Sequence, residues 1–471
     1  MPTAASDARA SDRTQAIVSA PLTPTLVRLT LPMIGGIIAL MMLGLVDAYF
    51  VGQLGLNQLA ALGFVAPLTH GVNSVGLGLG MALSVLVSRL FGQRKTAEAA
   101  RLITDARLLI LVVGLALLLL IYTCQPYIFS AMGAADAIQP YITDFMALWL
   151  PVLPVLLLTL TGNSTLRAIG SPAKSAALLA LLAILNALLD PLLIFGFGPL
   201  PGLGIGGAAL ATSIAWLVTF AVSDHLLGRQ EKLIIKGNIR PSVLLGHWRE
   251  LIQIGLPAIF ANFLTPLAAA ILTAFVALYG AEAVAGFTVA ARIEAICLLV
   301  TFALSSTLPM FIGQNLGAGR LDRVHKALFG VLWFCVLFQS LVWLLILPLA
   351  TPLAEAFSDH QQVARIATNY LWIVPLSYCG QAVGIMVMVS LNVLNRPKTA
   401  LAVAALRLLF INLPFAYLGG IVGGLTGLFA GYTAGNLVAG LISWRVMRRA
   451  WQILEQEETQ TTTPVTARGA G

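Results

Sequence analysis

Asp47 lies in the stretch LGLVDAYFVG, residues 43 to 52, and no charged residue stands between Leu29 and Val46. An ionised carboxylate inside an apolar membrane segment is costly, which makes it a functional candidate by default. Asp190, in NALLDPLLIFGFG, is the second such acid. Asn186 stands four residues before Asp190 and so shares its helix face. Two carboxylates close together in a low dielectric repel each other and resist desolvation, which suits the pair to accepting a proton. With the oxygens of Asn186 and Thr212 they could instead ligate Na+. The plainer alternative is a satisfied polar contact that pins helices together.

The elements that must carry these residues are membrane helices. Hydrophobic residues make up 59% of the 471-residue chain and charged residues only 10%, against roughly 25% charged in a soluble protein. Twelve apolar segments fit between the charged loops, at 29–52, 59–88, 106–126, 140–166, 175–197, 204–227, 250–279, 283–312, 327–351, 363–390, 400–419 and 425–447. A spanning helix needs ~20 such residues. Backbone groups in lipid must bond internally, so runs this long are helices and not barrel strands. The expected fold class is an all-α polytopic membrane protein with twelve transmembrane helices. Asp47 is 19 residues beyond Arg28 and Asp190 is 16 beyond Lys174, which is about 28 Å and 24 Å of helix rise. Both helices run outward, so both acids reach a similar level in the outer half. Thr212, descending from Gly204 in the sixth span, reaches about the same level.

The net charge of +8 reports topology. With the N-terminus inside, 25 of the 27 Lys and Arg residues fall in or next to cytoplasmic segments, and only Arg292 and Arg365 do not. This is the positive-inside pattern, and it places both termini in the cytoplasm; no nucleic-acid patch is implied. The opening stretch, residues 1–27, lacks the apolar core of a cleavable signal. Both it and the end, 451–471, are expected to be mobile cytoplasmic tails. Cys124, Cys297, Cys335 and Cys379 lie in or at the ends of apolar runs with no pairing pattern, as small buried hydrophobes.

The chain also repeats itself at a spacing of 225 residues: Leu31-Pro32 returns as Leu256-Pro257, Gly55 as Gly280, Gly92 as Gly317 and Pro172 as Pro397. Asn186 matches Asn412 after a slip of one residue. Each half holds six spans, an even number, so the halves are parallel repeats with the substrate path expected between them. The expected organisation is an N-lobe over 28–229, a charged linker over 230–249 and a C-lobe over 250–450. Asp47 aligns with Leu272 and Asp190 with Ala416, so the scaffold is duplicated but the acids are not. That asymmetry points to a cation-coupling site built only in the first half. Prolines inside the spans, such as Pro151, Pro154, Pro375 and Pro414, imply either fixed curvature or hinges.

Arg292 and Glu294, in AARIEAI, form the other buried charged cluster and are expected to be a structural ion pair or a substrate contact. The five histidines show no ligand spacing, so no metal is assigned. An enzyme of the glycosyl-transfer type would need a sizeable extramembrane domain or an acidic metal cluster in a loop, and the loops offer neither.

The stretches LPMIGGIIALMMLGLVDAYFVGQLG, LRAIGSPAK, NALLDPLLIFGFG with LGIGGAALATSIA, and FIGQNLGAGR resemble the multidrug and toxic compound extrusion (MATE) transporters, most closely the DinF-like branch. The resemblance spans about residues 25–450. It implies two six-helix pseudo-symmetric lobes in a V shape, and efflux of organic cations or amphipathic drugs driven by entry of H+ or Na+. It also implies an N-lobe site at Asp47, Asp190, Asn186 and Thr212, with Asn163 as a further member. Leu40 and Phe145 stand where some relatives place a Gln and a Tyr. Thr265 and Gln381 stand near the acids of the Na+-coupled branch, which favours protons. The resulting expectation is a monomeric, proton-coupled antiporter in the bacterial inner membrane, with no cofactor. A Na+-coupled antiporter and a flippase for lipid-linked precursors are the alternatives. The flippase should show an extended basic cavity, and Arg292 is the only deep cation expected.

Overall fold

The computed structural model describes residues 4–198, 200–235, 240–357 and 360–462. Spans 1 to 7 are Leu22–Gly52, Leu56–Gly92, Thr96–Ala131, Gln139–Ala168, Pro172–Ile194, Ile205–Gln230 and Pro241–Ala277. Span 8 is the pair Ala281–Cys297 and Leu299–Gly317, bent by 47°. Spans 9 and 10 are Leu321–Phe357 and Gln361–Val393. The run Pro397–Glu457 holds the last two spans. It breaks where Gly423 and Gly424 leave helical geometry, Gly424 at φ 61°. Among the described residues this makes twelve spans.

The repeat is visible in the turns. Gly55 (φ 134°) and Gly280 (φ 102°) occupy the same place in the two halves, just before spans 2 and 8, in a backbone region closed to most side chains. The helix breaks recur as well. Span 4 passes through a 3₁₀ turn at Leu150–Val152 and span 10 through one at Val374–Ser377. Each carries a proline that removes a helix donor and clashes with the preceding turn. In span 11 the same problem, set by Pro414, is met by a π-helical stretch, Leu406–Asn412.

Two compact units emerge from the contacts: Met1–Leu267 with Phe302–Val324, and Ala268–Thr301 with His325–Gly471. The first unit explains itself through reciprocal packing. The Thr30 hydroxyl of span 1 meets that of Thr307 in span 8 at 3.0 Å. At the equivalent positions of the repeat, Gly255 of span 7 faces Ala82 of span 2. A Cβ on Gly92 would collide with the Gln314 carbonyl oxygen, and one on Gly317 with that of Arg89, which is the repeat-equivalent of Gln314. Paired contacts of this kind are the signature of a two-fold relation. They draw the ends of spans 7 and 8 into the first unit.

The opening segment differs from the mobile tail expected for it: Ala4–Ser19 is helical, with Thr14 and Ile17 buried. Arg13 donates to Ser171 Oγ at 2.6 Å and to Glu231 Oε1 at 3.0 Å. Lys174 reaches the same Glu231 oxygen at 2.6 Å. Arg323 Nη2 donates to the carbonyls of Ile17 (3.1 Å) and Ala20 (2.7 Å), which satisfies the open C-terminal end of this helix. Polar composition suggested solvation because each of these partners lies far away in sequence. At the other end the helix of span 12 continues through Thr462, past the start of the second expected tail. Arg396 pairs there with Glu457 at 3.3 Å; residues 463–471 lie outside the described residues.

Burial alone would raise the Glu231 carboxyl, but Arg13 and Lys174 outweigh it and hold the group below the usual glutamate range. Its contribution to docking the N-terminal helix is therefore complete above the ordinary value of about 4.3 and lost as pH falls through the lower folded value. Arg13→Ala should speed proteolytic cleavage within residues 4–20 at neutral pH, while costing only about 1 kcal/mol of global stability, the scale of a part-exposed ion pair. Unchanged cleavage in a limited proteolysis time course would count against this anchoring.

Candidate functional site

Span 5 places Asn186 and Asp190 one turn apart, and both side chains are fully buried. Asn186 Nδ2 donates to Asp190 Oδ1 at 3.3 Å and to Thr212 Oγ1 of span 6 at 3.2 Å. The relative height of spans 5 and 6 is fixed just beyond the acid. Leu203 N–H donates to Leu193 O (2.9 Å) and Gly204 N–H to Ile194 O (3.1 Å). A short hairpin, β1 Gly196–Phe197 against β2 Leu200–Pro201, closes the connection. Span 1 brings the half-buried Asp47 against this group, with its carboxyl facing both Asp190 and Asn186. Phe50, one turn on, packs edge-on against Phe195 with ring centroids 6.2 Å apart.

Three oxygens of this cluster, Asp47 Oδ1, Asn186 Oδ1 and Asp190 Oδ2, are buried with no donor among the described residues. Buried polar atoms are normally paired, so an acceptor set left short of donors is a place for a proton or a small cation. Four of the five residues expected in the N-lobe site thus meet. Asn163 does not join them. It lies five residues before the end of span 4, whereas Asp190 is 18 residues into the antiparallel span 5. At 1.5 Å per residue that separates their levels by about 20 Å. Its neighbour Gly162 faces Ser223, near the far end of span 6.

The second unit departs further from expectation. Arg292 is exposed and is not paired with Glu294. Residues two apart on a helix point to nearly opposite sides, which rules out the pair geometrically. Glu294 is instead held by the Tyr370 hydroxyl and by Gln381 Nε2, the latter at 3.2 Å. The deep cation is Arg407, only 6% exposed, on the π-helical stretch of span 11. In the sequence it reads as one of the cytoplasmic charges, because Arg396 and Lys398 precede it closely. Its position ten residues after Pro397 was the signal that could have separated it from them. Of the cysteines, Cys335 is buried and the other three are half-buried; all four are free.

The MatE family profile matches residues 32–192 and 257–418, more than half of the chain and one block in each repeat. The chain belongs to the MatE family of transporters. It is 36% identical over 408 residues to a protein of Shewanella oneidensis named FAD transporter, covering 86% of this chain and 90% of that one. It is 24% identical to the probable multidrug resistance protein YoeA of Bacillus subtilis, over 76% of each chain. Among solved structures it is similar to the Vibrio cholerae MATE transporter VcmN in its bent form, with 30% identity, a TM-score of 0.85, and coverage of 94% of this chain and 98% of that one. The MatE chain is therefore a multi-pass membrane transporter of small molecules, not an enzyme, with the twelve-helix, two-lobe fold of its relatives.

Proposed function

We propose that this MatE chain exports cationic or amphipathic organic compounds by proton-coupled antiport, with Asp47 and Asp190 as the coupling pair. The observation that carries the reading is the acceptor-rich cluster of Asp47, Asn186 and Asp190, three oxygens without donors among the described residues, inside one helical bundle. Protonation of Asp47 removes its charge, lets span 1 repack and lowers the affinity of the N-lobe for a cation. The six-span halves, 28–229 and 250–450, then alternate access about the linker. The setting is a bacterial inner membrane, with the protein a monomer and both termini cytoplasmic, as the distribution of Lys and Arg supports. The N-lobe acids also support kinship with the DinF-like branch.

Coupling to Na+ through the same oxygens is the competing reading, and the experiment separates the two. The purified protein is reconstituted in vesicles, and ΔpH and a Na+ gradient are imposed one at a time while an ethidium-like dye is followed. Dye movement with ΔpH alone is expected; movement with Na+ alone would sink proton coupling.

A second substrate class is favoured by one observation. Arg407 is a buried cation, and a relative covering most of the chain is named FAD transporter. On this reading the cargo is a flavin nucleotide, anionic at its phosphates and aromatic at its ring.

A further inference from the structure

We infer that Arg407 is the anchor of a phosphoryl-binding subsite in the second unit, built for an anionic group on an aromatic organic ligand. It deepens the flavin-nucleotide reading above by naming the side chain that would recognise the charge. Arg407 stands ten residues beyond Pro397, about 15 Å of rise, half of a hydrocarbon core ~30 Å thick. A guanidinium at that depth cannot shed its proton and must be neutralised or solvated.

The protein supplies little of either. Among the described residues, Arg407 makes no ion pair, and its one side-chain hydrogen bond runs from Nη1 to the backbone carbonyl of Gln381 at 3.2 Å. A guanidinium has five N–H donors, so most of its capacity is uncommitted. Glu294, the acid of the second unit described above, is occupied by Tyr370 and Gln381. Tyr432 is close enough to interact with both Glu294 and Arg407.

The surroundings favour a ligand over a brace. Gly384 leaves room for the guanidinium itself, since a Cβ there would stand 2.6 Å from Arg407 Nη1. The Tyr378 hydroxyl and Gln381 Oε1 are buried without partners. Tyr370 is stacked edge-on with Phe287 and Phe429, at 5.7 Å and 5.0 Å. A planar fork of donors matches two phosphate oxygens, and the same unit holds this aromatic cluster. A brace for the Gln381 carbonyl would need one neutral donor, not a charge at mid-membrane.

FMN and riboflavin carry the same ring and differ by one phosphate, so their affinity ratio reads the subsite. The full chain in lipid nanodiscs is titrated with each, using flavin fluorescence anisotropy. Wild type should bind FMN about tenfold tighter or more, the scale of a charge-assisted pair. In Arg407→Gln the ratio should fall toward one, and Arg407→Lys should keep part of it. A wild-type ratio near one, or a ratio that survives in Arg407→Gln, overturns the inference. If Arg407→Gln does not fold, competition on the wild type decides: inorganic pyrophosphate should displace FMN, and failure to displace it overturns the subsite. Because binding is read without any gradient, loss of ΔpH-driven export would count against the coupling reading and leave this one standing.

Discussion

Asp47→Asn should abolish ΔpH-driven export from reconstituted vesicles, reducing the initial rate by about tenfold or more, the scale of losing an essential proton carrier. Asparagine has the shape of aspartate and still donates and accepts hydrogen bonds. A residue that merely pinned span 1 to span 5 would tolerate the change. A residue that loads and releases a proton would not. Asp190→Asn should have an effect of similar size, because the two carboxyls face one another and, on the proposed reading, share one proton. The double variant should be scarcely worse than either single one, as for groups that act as a unit. Asn186→Ala should be milder and should shift the pH profile, since it removes the donor to Asp190 Oδ1 and Thr212 Oγ1 without removing an acid. Asp47→Asn transporting at the wild-type rate, with normal thermal unfolding, would remove Asp47 from the mechanism.

The first-half cluster was legible in the sequence because its ingredients are one-dimensional. Two acids in apolar runs can be placed in depth by counting residues from the nearest basic flank. Asn186 follows from the four-residue spacing and Thr212 from the short connection after Gly204. Asn163 was carried by resemblance alone, and a depth count on span 4 would have placed it near the opposite end of the bundle. The Arg292–Glu294 pair failed for a geometric reason: nearness in sequence at a spacing of two is separation on a helix. Glu294 found Tyr370 and Gln381, 76 and 87 positions away, and no periodicity reveals such a pairing. Arg407 was hidden by its neighbours Arg396 and Lys398, and its depth depends on where the helix begins at Pro397. The docked N-terminal helix escaped because its partners, Ser171, Glu231 and Arg323, come from three separate stretches of chain. Hydropathy reports what enters lipid but not which polar surfaces cover the ends of the helices.

A disulfide between residues 30 and 307 should stop transport reversibly. The two threonine hydroxyls lie 3.0 Å apart, so cysteines in their place need only a small adjustment to reach a sulfur–sulfur bond of ~2.0 Å. The half-buried Cys124, Cys297 and Cys379 would first be replaced by serine, leaving the buried Cys335 in place. Span 1 belongs to the first repeat and span 8 to the second, and their contact has its counterpart in Gly255 against Ala82. If access alternates by rocking of the two halves, these paired contacts must part once in every cycle. Oxidised Thr30→Cys/Thr307→Cys protein should then export dye at background rate, and a reductant should restore it. Each single variant should transport throughout, which separates locking from the loss of the hydroxyl pair. Full transport by protein shown to be cross-linked would mean that spans 1 and 8 move as one body. The opening would then have to lie elsewhere, and the 3₁₀ breaks at Leu150–Val152 and Val374–Ser377 would become the hinges to test.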